Sequence, residues 1–106
     1  MSMQKPRDYD EFLDLLHQAV YEVDELRACI EDDPEEMERY LAFLDPLDAQ
    51  LRQLFEDARS GALKGFGQNR DLPYMALFVR FERDIPFREL LRTLNAAYRE
   101  GFRAAN

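Results

Sequence analysis

The sequence contains few residues of several kinds, and each scarcity excludes a class of protein. Cys29 is the only cysteine, so an internal disulfide is impossible and we expect a reducing, cytoplasmic setting. The chain has no apolar run of about eighteen residues, so we expect no membrane-spanning helix. Residues 1–6 contain no apolar core, so we also expect no signal peptide.

Glycine and proline are scarce as well. The 106 residues include only four glycines and five prolines, and long stretches contain neither, which favours helices over a sheet with many turns. Apolar residues make up 46% of the chain, with eight phenylalanines and five tyrosines among them, which is not the composition of a disordered chain. We expect one domain over residues 1–106, with residues 1–7 as a disordered tail.

Charge is distributed unevenly along the chain. Residues 1–60 carry 17 acidic and 6 basic side chains, a net charge of −11, whereas residues 61–106 carry 5 acidic and 8 basic ones, a net charge of +3. The total of −8 disfavours binding to nucleic acid or to an anionic membrane surface. The imbalance indicates that the two halves face each other, within one chain or between two.

Two apolar heptad repeats predict a long helical hairpin. The first follows Asp8, a candidate helix cap with Glu11 three residues later, and extends to about residue 32. Its members are Phe12, Leu16, Ala19, Val23, Leu26 and Ile30, and those of the second repeat are Met37, Tyr40, Leu44, Leu47, Leu51, Leu54 and Ala58. Arms joined by two or three residues predict an antiparallel hairpin. Pro46 interrupts the second arm, residues 34–60, and leaves open whether that arm is kinked or split.

The C-terminal half predicts two shorter helices. Residues 61–71 hold three of the four glycines and form a connecting loop. Residues 74–82 fit either a helix or a strand, and we favour a helix because no second strand is available to pair with a strand there. Residues 86–103 form the last helix, preceded by an acid and a proline. The predicted fold is therefore all-α: a long antiparallel helical hairpin plus two shorter C-terminal helices, together a small four-helix bundle.

Six of the eight residues from Glu31 to Glu38 are acidic. Asp33 is placed to cap the second helix, whose first turns favour acidic side chains. Glu31 and Asp32 instead lie at the C-terminal end of the first helix, where an anion is unfavourable. Their counter-charge could be water and salt, an arginine from the basic half, or a partner. Nothing in this stretch has the ligand spacing of a calcium loop.

One further group of residues has metal-ligand chemistry. His17, the only histidine, follows Asp14 by three positions, and Asp10 lies one turn earlier, which partly resembles the Glu-x-x-His pairs of di-iron bundles. Those bundles use two such pairs facing the core, whereas these three residues fall opposite the apolar repeat and are best interpreted as a solvated face. We therefore predict no metal, no cofactor and no catalytic residue. Cys29 lies near several acids, which disfavours a thiolate nucleophile.

Two further features, besides Glu31 and Asp32, are candidates for binding a partner. Phe66 stands between two glycines and could be exposed at the tip of the loop. The last helix has a basic face, and its arginines are Arg88, Arg92, Arg99 and Arg103. These arginines either form a solvated face, partly paired with nearby acids, or bind an acidic surface such as the first hairpin of a second copy.

Three segments carry a resemblance to known proteins: DELRACIE at residues 24–31, DLPYM at 71–75 and IPFRELLRTLNAAYREGF at 85–102. They are similar to segments of a small family of uncharacterised, all-helical bacterial (proteobacterial) proteins of about this length. The resemblance covers most of the chain and implies a bacterial, cytoplasmic source. It implies no activity, so no functional residue carries over.

These patterns favour a non-enzymatic protein-interaction or adaptor domain that acts as a homodimer. Two long apolar repeats are matched by only about thirty residues of covering helix, so we expect apolar area that a second chain would bury. One alternative is a metal- or small-ligand-binding helical bundle, and another is an acidic regulator that docks on a basic protein surface. We expect a protein partner, chiefly a second copy, and neither a membrane nor nucleic acid.

Overall fold

The computed structural model describes residues 4–102, apart from the side chains of residues 36 and 37, and these residues form helices and no strand. The α-helices are α1 (Tyr9–Asp32), α2 (Pro34–Met37), α3 (Leu41–Ser60), α4 (Met75–Phe81) and α5 (Arg88–Glu100), and two 3₁₀ turns span Glu38–Tyr40 and Glu82–Asp84. The predicted all-α class is confirmed. In this small bundle α1 pairs with α3, α5 packs on α1, and α4 packs on α3.

The start of α1 follows the prediction in part. Asp8 has an extended backbone, and its side chain accepts the backbone N–H of Glu11 at 2.9 Å. The Glu11 carboxylate does not bond back to Asp8 but accepts the backbone N–H of Arg7 at 2.8 Å. Hydrogen bonds from Arg7 hold the pKa of Glu11 below its ordinary value. Lys5, in the segment before α1, pairs with Glu100 at the end of α5.

Both apolar repeats are buried in one core. Every member of the first repeat is at most 8% exposed. In the second repeat, the six members from Tyr40 to Ala58 are buried, and so is Phe43, which the heptad spacing did not predict. The side chain of Met37 lies outside the described part of the structure. Burial of one large apolar side chain contributes roughly 1.5–3 kcal/mol, so the two repeats account for much of the stability of the hairpin.

The second arm is continuous through Pro46, which excludes a split of the helix at that position. The interruption lies earlier, at the 3₁₀ turn that separates α2 from α3. The predicted connection of two or three residues is a single residue, Asp33, and the 3₁₀ turn interrupts the second arm beyond it. The heptad spacing of apolar residues continues across the 3₁₀ turn, so the sequence pattern did not predict this turn.

The helix predicted for residues 74–82 is present as α4, and this decides the alternative between helix and strand. Tyr74 and Phe78 are buried, and the Tyr74 hydroxyl donates to the Leu91 carbonyl of α5. Burial of Tyr74 raises the pKa of its hydroxyl well above the ordinary value. Ile85, buried at the corner between the two helices, completes the contact.

The connection between α3 and α4 is fixed against the C-terminal end of α5. The Gly67 N–H donates to the Tyr98 carbonyl at 2.8 Å, and the Asn69 N–H donates to the Arg99 carbonyl at 3.1 Å. A Cβ on Gly101 would lie only 3.1 Å from the Cα of Gly67, so the two backbones meet where a side chain would not fit. The predicted connecting loop is thus part of the packed structure.

Candidate interaction surface

The metal candidates Asp10, Asp14 and His17 lie on the exposed side of α1, as predicted. The His17 ring stacks on Phe55 of α3, with ring centroids 5.4 Å apart and planes at 29°. His17 and Asp14 line a surface cavity of about 170 Å³ whose remaining lining is apolar or basic. Among residues 4–102, no three His, Cys, Asp or Glu side chains are grouped as metal ligands would be. The geometry therefore offers no ligand set on which a metal site could be argued.

Charges near this face are paired across the hairpin. Arg27 donates to Asp45 at 3.0 Å and to Asp48 at 2.8 Å. Arg52 donates to the other oxygen of Asp48 at 2.6 Å and also contacts Asp24. The side chain of Asp48 is only 18% exposed, and hydrogen bonds to Asp45 and Asp48 raise the pKa of Arg27. These charges join α1 to α3 and are satisfied within the chain.

Phe66, predicted as an exposed loop tip, is instead half-buried in an aromatic cluster. Its ring centroid lies 4.9 Å from that of Tyr98, 5.1 Å from Phe12 and 5.3 Å from Phe102. Tyr9 joins the cluster at 5.6 Å. The contacts with α1 and α5 bring together rings that are far apart in the chain, which local spacing could not predict. This correction removes Phe66 from the candidate surface.

The basic face of α5 is largely neutralised by acids of the same chain. Arg92 pairs with two nearby glutamates, and Arg99 Nη1 lies 2.7 Å from an oxygen of Asp71. Arg88 is exposed and has no ion pair within the described chain. Arg103 lies outside the described residues. The predicted continuous basic ridge is therefore corrected to one unpaired arginine, Arg88, among the described positions.

Asn95, which lies between Arg92 and Arg99 in the sequence, is buried and only 6% exposed. Its side-chain oxygen accepts the backbone N–H of Leu72 at 2.7 Å, and its side-chain nitrogen donates to Asp71 at 3.0 Å. These bonds attach the segment before α4 to the middle of α5. The hydrogen bond from Asn95, followed by that from Arg99, holds the pKa of Asp71 below its ordinary value. The only sequence signal for these hydrogen bonds is that Asn95 is a polar residue among the apolar residues of α5.

The acidic turn, defined as residues 31–38, holds two carboxylates, Glu31 and Asp32, that are not neutralised within the part of the chain that the structure describes. Glu31 and Asp32 are exposed, and the last turn of α1 contains no basic residue. Neither carboxylate has an ion pair with a residue of the described chain. The alternative in which an arginine from the C-terminal half neutralises them is therefore not realised within the described residues. Water and salt, or a partner, remain as their counter-charge.

Positive charges, opposite in sign to those of the acidic turn, lie in a second feature. We call it the arginine cleft, and it is the cavity of about 300 Å³ lined by Glu82, Arg83, Arg88 and Arg92. Arg83 and Arg88 are exposed and unpaired within the described chain, whereas Arg92 is held by Glu82 and Glu89. The 3₁₀ turn and the corner at Ile85 bring the end of α4 beside the start of α5. Sequence spacing alone does not place Arg83 beside Arg88, because the two residues belong to different elements.

Apolar side chains are exposed near both charged features. Among the described side chains, the large apolar residues with high exposure are Tyr21 at 56%, Leu41 at 54% and Val79 at 68%. Leu41 is the first residue of α3, directly after the acidic turn, and Val79 lies on α4. The two helices meet where the ring of Phe43 lies 5.7 Å from that of Phe81. Leu41 and Val79 thus belong to neighbouring elements of one end of the molecule.

The direction of the chain gives the position of both charged features along the bundle. α1 begins at the aromatic cluster and ends at the acidic turn, whereas α5 begins at the arginine cleft and leads to the aromatic cluster. Both charged features therefore lie away from the cluster, and the acidic turn lies farther from it, because α1 has 24 residues and α5 has 13. We use the name turn-end surface for the exposed side chains of this part of the molecule, which are Glu31, Asp32, Leu41, Val79, Arg83 and Arg88.

Comparisons with protein-family models, with curated proteins and with solved structures give no match for this chain. The resemblance of its three segments to a bacterial family therefore stays a prediction. In the part of the chain that the structure describes, no helix is both long and apolar enough to cross a membrane.

Proposed function

We propose that this protein is a non-enzymatic interaction domain of the adaptor type, and that it forms a homodimer through its turn-end surface. The observation that carries the proposal is the exposure of Leu41 and Val79 beside acidic and basic side chains that lack partners within the described chain. Apolar side chains surrounded by complementary charges are the usual composition of a protein–protein interface. One surface that holds both signs of charge is complementary to itself.

The apolar repeats do not support a dimer, because their described members are buried. We expected them to leave apolar area uncovered, but their described members are buried by the other helices of the same chain. A second copy has no access to that seam without opening the fold. The proposed dimer therefore uses the turn-end surface, where the exposed apolar residues lie.

A non-enzymatic role is part of the proposal. The one histidine, His17, is stacked on Phe55, and it lies twelve residues from the one cysteine along α1, about 18 Å along the helix axis. This separation is too large for a Cys–His pair. Cys29 is exposed, which suits a reducing compartment, so a cytoplasmic location is also part of the proposal.

The test is the mass of the native protein, measured by native mass spectrometry and by light scattering at several concentrations. We expect the wild type to be a dimer and the double variant Leu41→Gln/Val79→Gln to be a monomer. Tyr21→Gln is the matched control, because Tyr21 has similar exposure but lies on the outer side of α1. We expect this control to remain a dimer.

The possible outcomes distinguish whether a dimer forms from which surface forms it. A wild type that stays monomeric at high protein concentration would overturn the proposal. A dimer that survives the double variant would show that self-association uses another surface. Circular dichroism confirms that each variant is folded, and exposed side chains can be replaced with little effect on folding.

A further inference from the structure

We propose that the arginine cleft of one protomer binds Glu31 and Asp32 of a second copy, and that the same contact repeats in the opposite sense. This inference rests on the proposed homodimer and adds to it the residues that pair and the orientation of the two chains. The dimer is then isologous, because each protomer supplies one acidic turn and one arginine cleft.

The cleft has the geometry and charge to receive carboxylates. Arg92 is held in place by Glu82 and Glu89, so the two arginines left free to bind are Arg83 and Arg88. A guanidinium group offers paired N–H donors that match the two oxygens of a carboxylate. The cavity of about 300 Å³ is roughly ten times the volume of one water molecule, which leaves room for two carboxylate groups.

The acidic turn has an independent reason to need cations. Glu31 and Asp32 lie at the C-terminal end of α1, where the helix dipole is negative, and no basic residue lies in that last turn. Two exposed anions at this position repel the dipole and each other. Cations supplied from outside the chain would relieve both repulsions.

A second copy fits the cleft for reasons of symmetry and position. The acidic turn and the cleft lie toward the same end of the molecule, so a two-fold axis at that end can bring each turn to the cleft of the other chain. Leu41 on α3 and Val79 on α4 are exposed and can add apolar contact. Each chain has a net charge of −8, but at physiological salt a Debye length of about 8 Å screens the more distant repulsion.

The decisive experiment is a charge exchange between two variants. The cleft variant is Arg83→Glu/Arg88→Glu, and the turn variant is Glu31→Lys/Asp32→Lys. Each alone should lose the dimer, with a rise in the dissociation constant on the order of a hundredfold. An equimolar mixture should form a heterodimer, because both contacts then join opposite charges again. Native mass spectrometry identifies the heterodimer by its mass.

A control separates this contact from a general change of net charge. Lys64→Glu/Arg70→Glu alters the charge by the same amount as the cleft variant, and both residues are exposed in the connection between α3 and α4. We expect this control to remain a dimer. Dissociation of the control to the same extent as the cleft variant would overturn the inference.

Other results would also overturn it. A monomeric wild type ends both the proposed function and this inference, whereas a dimeric wild type that survives either reversal ends the inference alone. Monomeric single variants that form no heterodimer on mixing also contradict it. A thermal shift with inorganic phosphate that only the cleft variant loses, with the dimer intact, would assign the cleft to a small anion instead.

Discussion

At the scale of single residues, Asn95 is a buried polar side chain whose hydrogen bonds join α5 to the segment before α4. Replacing it with alanine leaves the Leu72 N–H buried without an acceptor, so we expect Asn95→Ala to cost about 1–3 kcal/mol of unfolding free energy. Gln53→Ala is the matched control, because its amide also donates to an aspartate at 3.0 Å but on an exposed helix face. Its cost should be only about 0.2–0.5 kcal/mol. Urea unfolding measures the free energy lost by each variant. Equal losses would contradict a stabilising role for the buried hydrogen bonds of Asn95.

Asp71 gives the fold a dependence on acid pH. Its pKa is lowered by the hydrogen bonds from Asn95 and Arg99, so the folded state favours the ionised carboxylate. This contribution is fully present above the ordinary pKa of about 3.8 and is lost as the pH falls through the lower, folded value. We expect Asp71→Asn to have a lower urea midpoint than the wild type at neutral pH, and the two midpoints should converge as the pH falls below about 3.8. A difference between the two midpoints that does not change with pH would contradict this contribution.

Phe66 and Asn95 both have contacts that are distant in the chain. Phe66 meets Phe12, and Asn95 meets Leu72, over separations that no helical or strand period connects. Local spacing predicted Phe66 as exposed and gave no position for Asn95, because it records neighbours only within one element. The exposure of Asp10, Asp14 and His17 was predicted correctly, because it follows from the phase of the heptad repeat on α1 alone.

At the scale of secondary structure, prediction succeeded wherever one helix supplied the whole signal. The two heptad repeats located α1 and α3, and their described members form the core of the hairpin. The 3₁₀ turn at Glu38–Tyr40 was missed, because the apolar spacing continues across it. The helix α4 was ambiguous from its pattern and is fixed by packing, with Phe78 directed into the core.

Pro46 provides a test of helix continuity. It lies inside α3, lacks the N–H that would bond to the Ala42 carbonyl, and so weakens a helix that nevertheless forms. We expect Pro46→Ala to raise the free energy of unfolding by about 1 kcal/mol, since the gained bond exceeds the entropy released in the unfolded chain. Pro34→Ala is the control: at the first position of α2 no such bond is missing, and the change should be small. Destabilisation by Pro46→Ala would mean that the packing of α3 depends on the local geometry imposed by proline.

At the scale of the whole molecule, the charge asymmetry of the sequence was visible but its location was not. Most arginines of the described chain pair with acids of the same chain, as Arg27 and Arg99 do, and so contribute no binding surface. The charges of the turn-end surface that are not paired in this way lie at the corner between α4 and α5 and at the end of the hairpin. Only the folded chain brings Arg83 beside Arg88 and leaves Glu31 and Asp32 without ion-pair partners among the described residues.

Self-association makes stability depend on protein concentration, and this is the broadest prediction. A dimer that forms only from folded chains stabilises the fold by mass action, so each tenfold rise in concentration above the dissociation constant adds about 1.4 kcal/mol per mole of dimer to the free energy of unfolding. We expect the urea midpoint of the wild type to rise steadily over a hundredfold range of concentration. The midpoint of Arg83→Glu/Arg88→Glu should stay constant over that range, and so should that of Leu41→Gln/Val79→Gln. A constant midpoint for the wild type would show that the folded monomer is the stable unit, and the turn-end surface would then have to serve a partner other than a second copy.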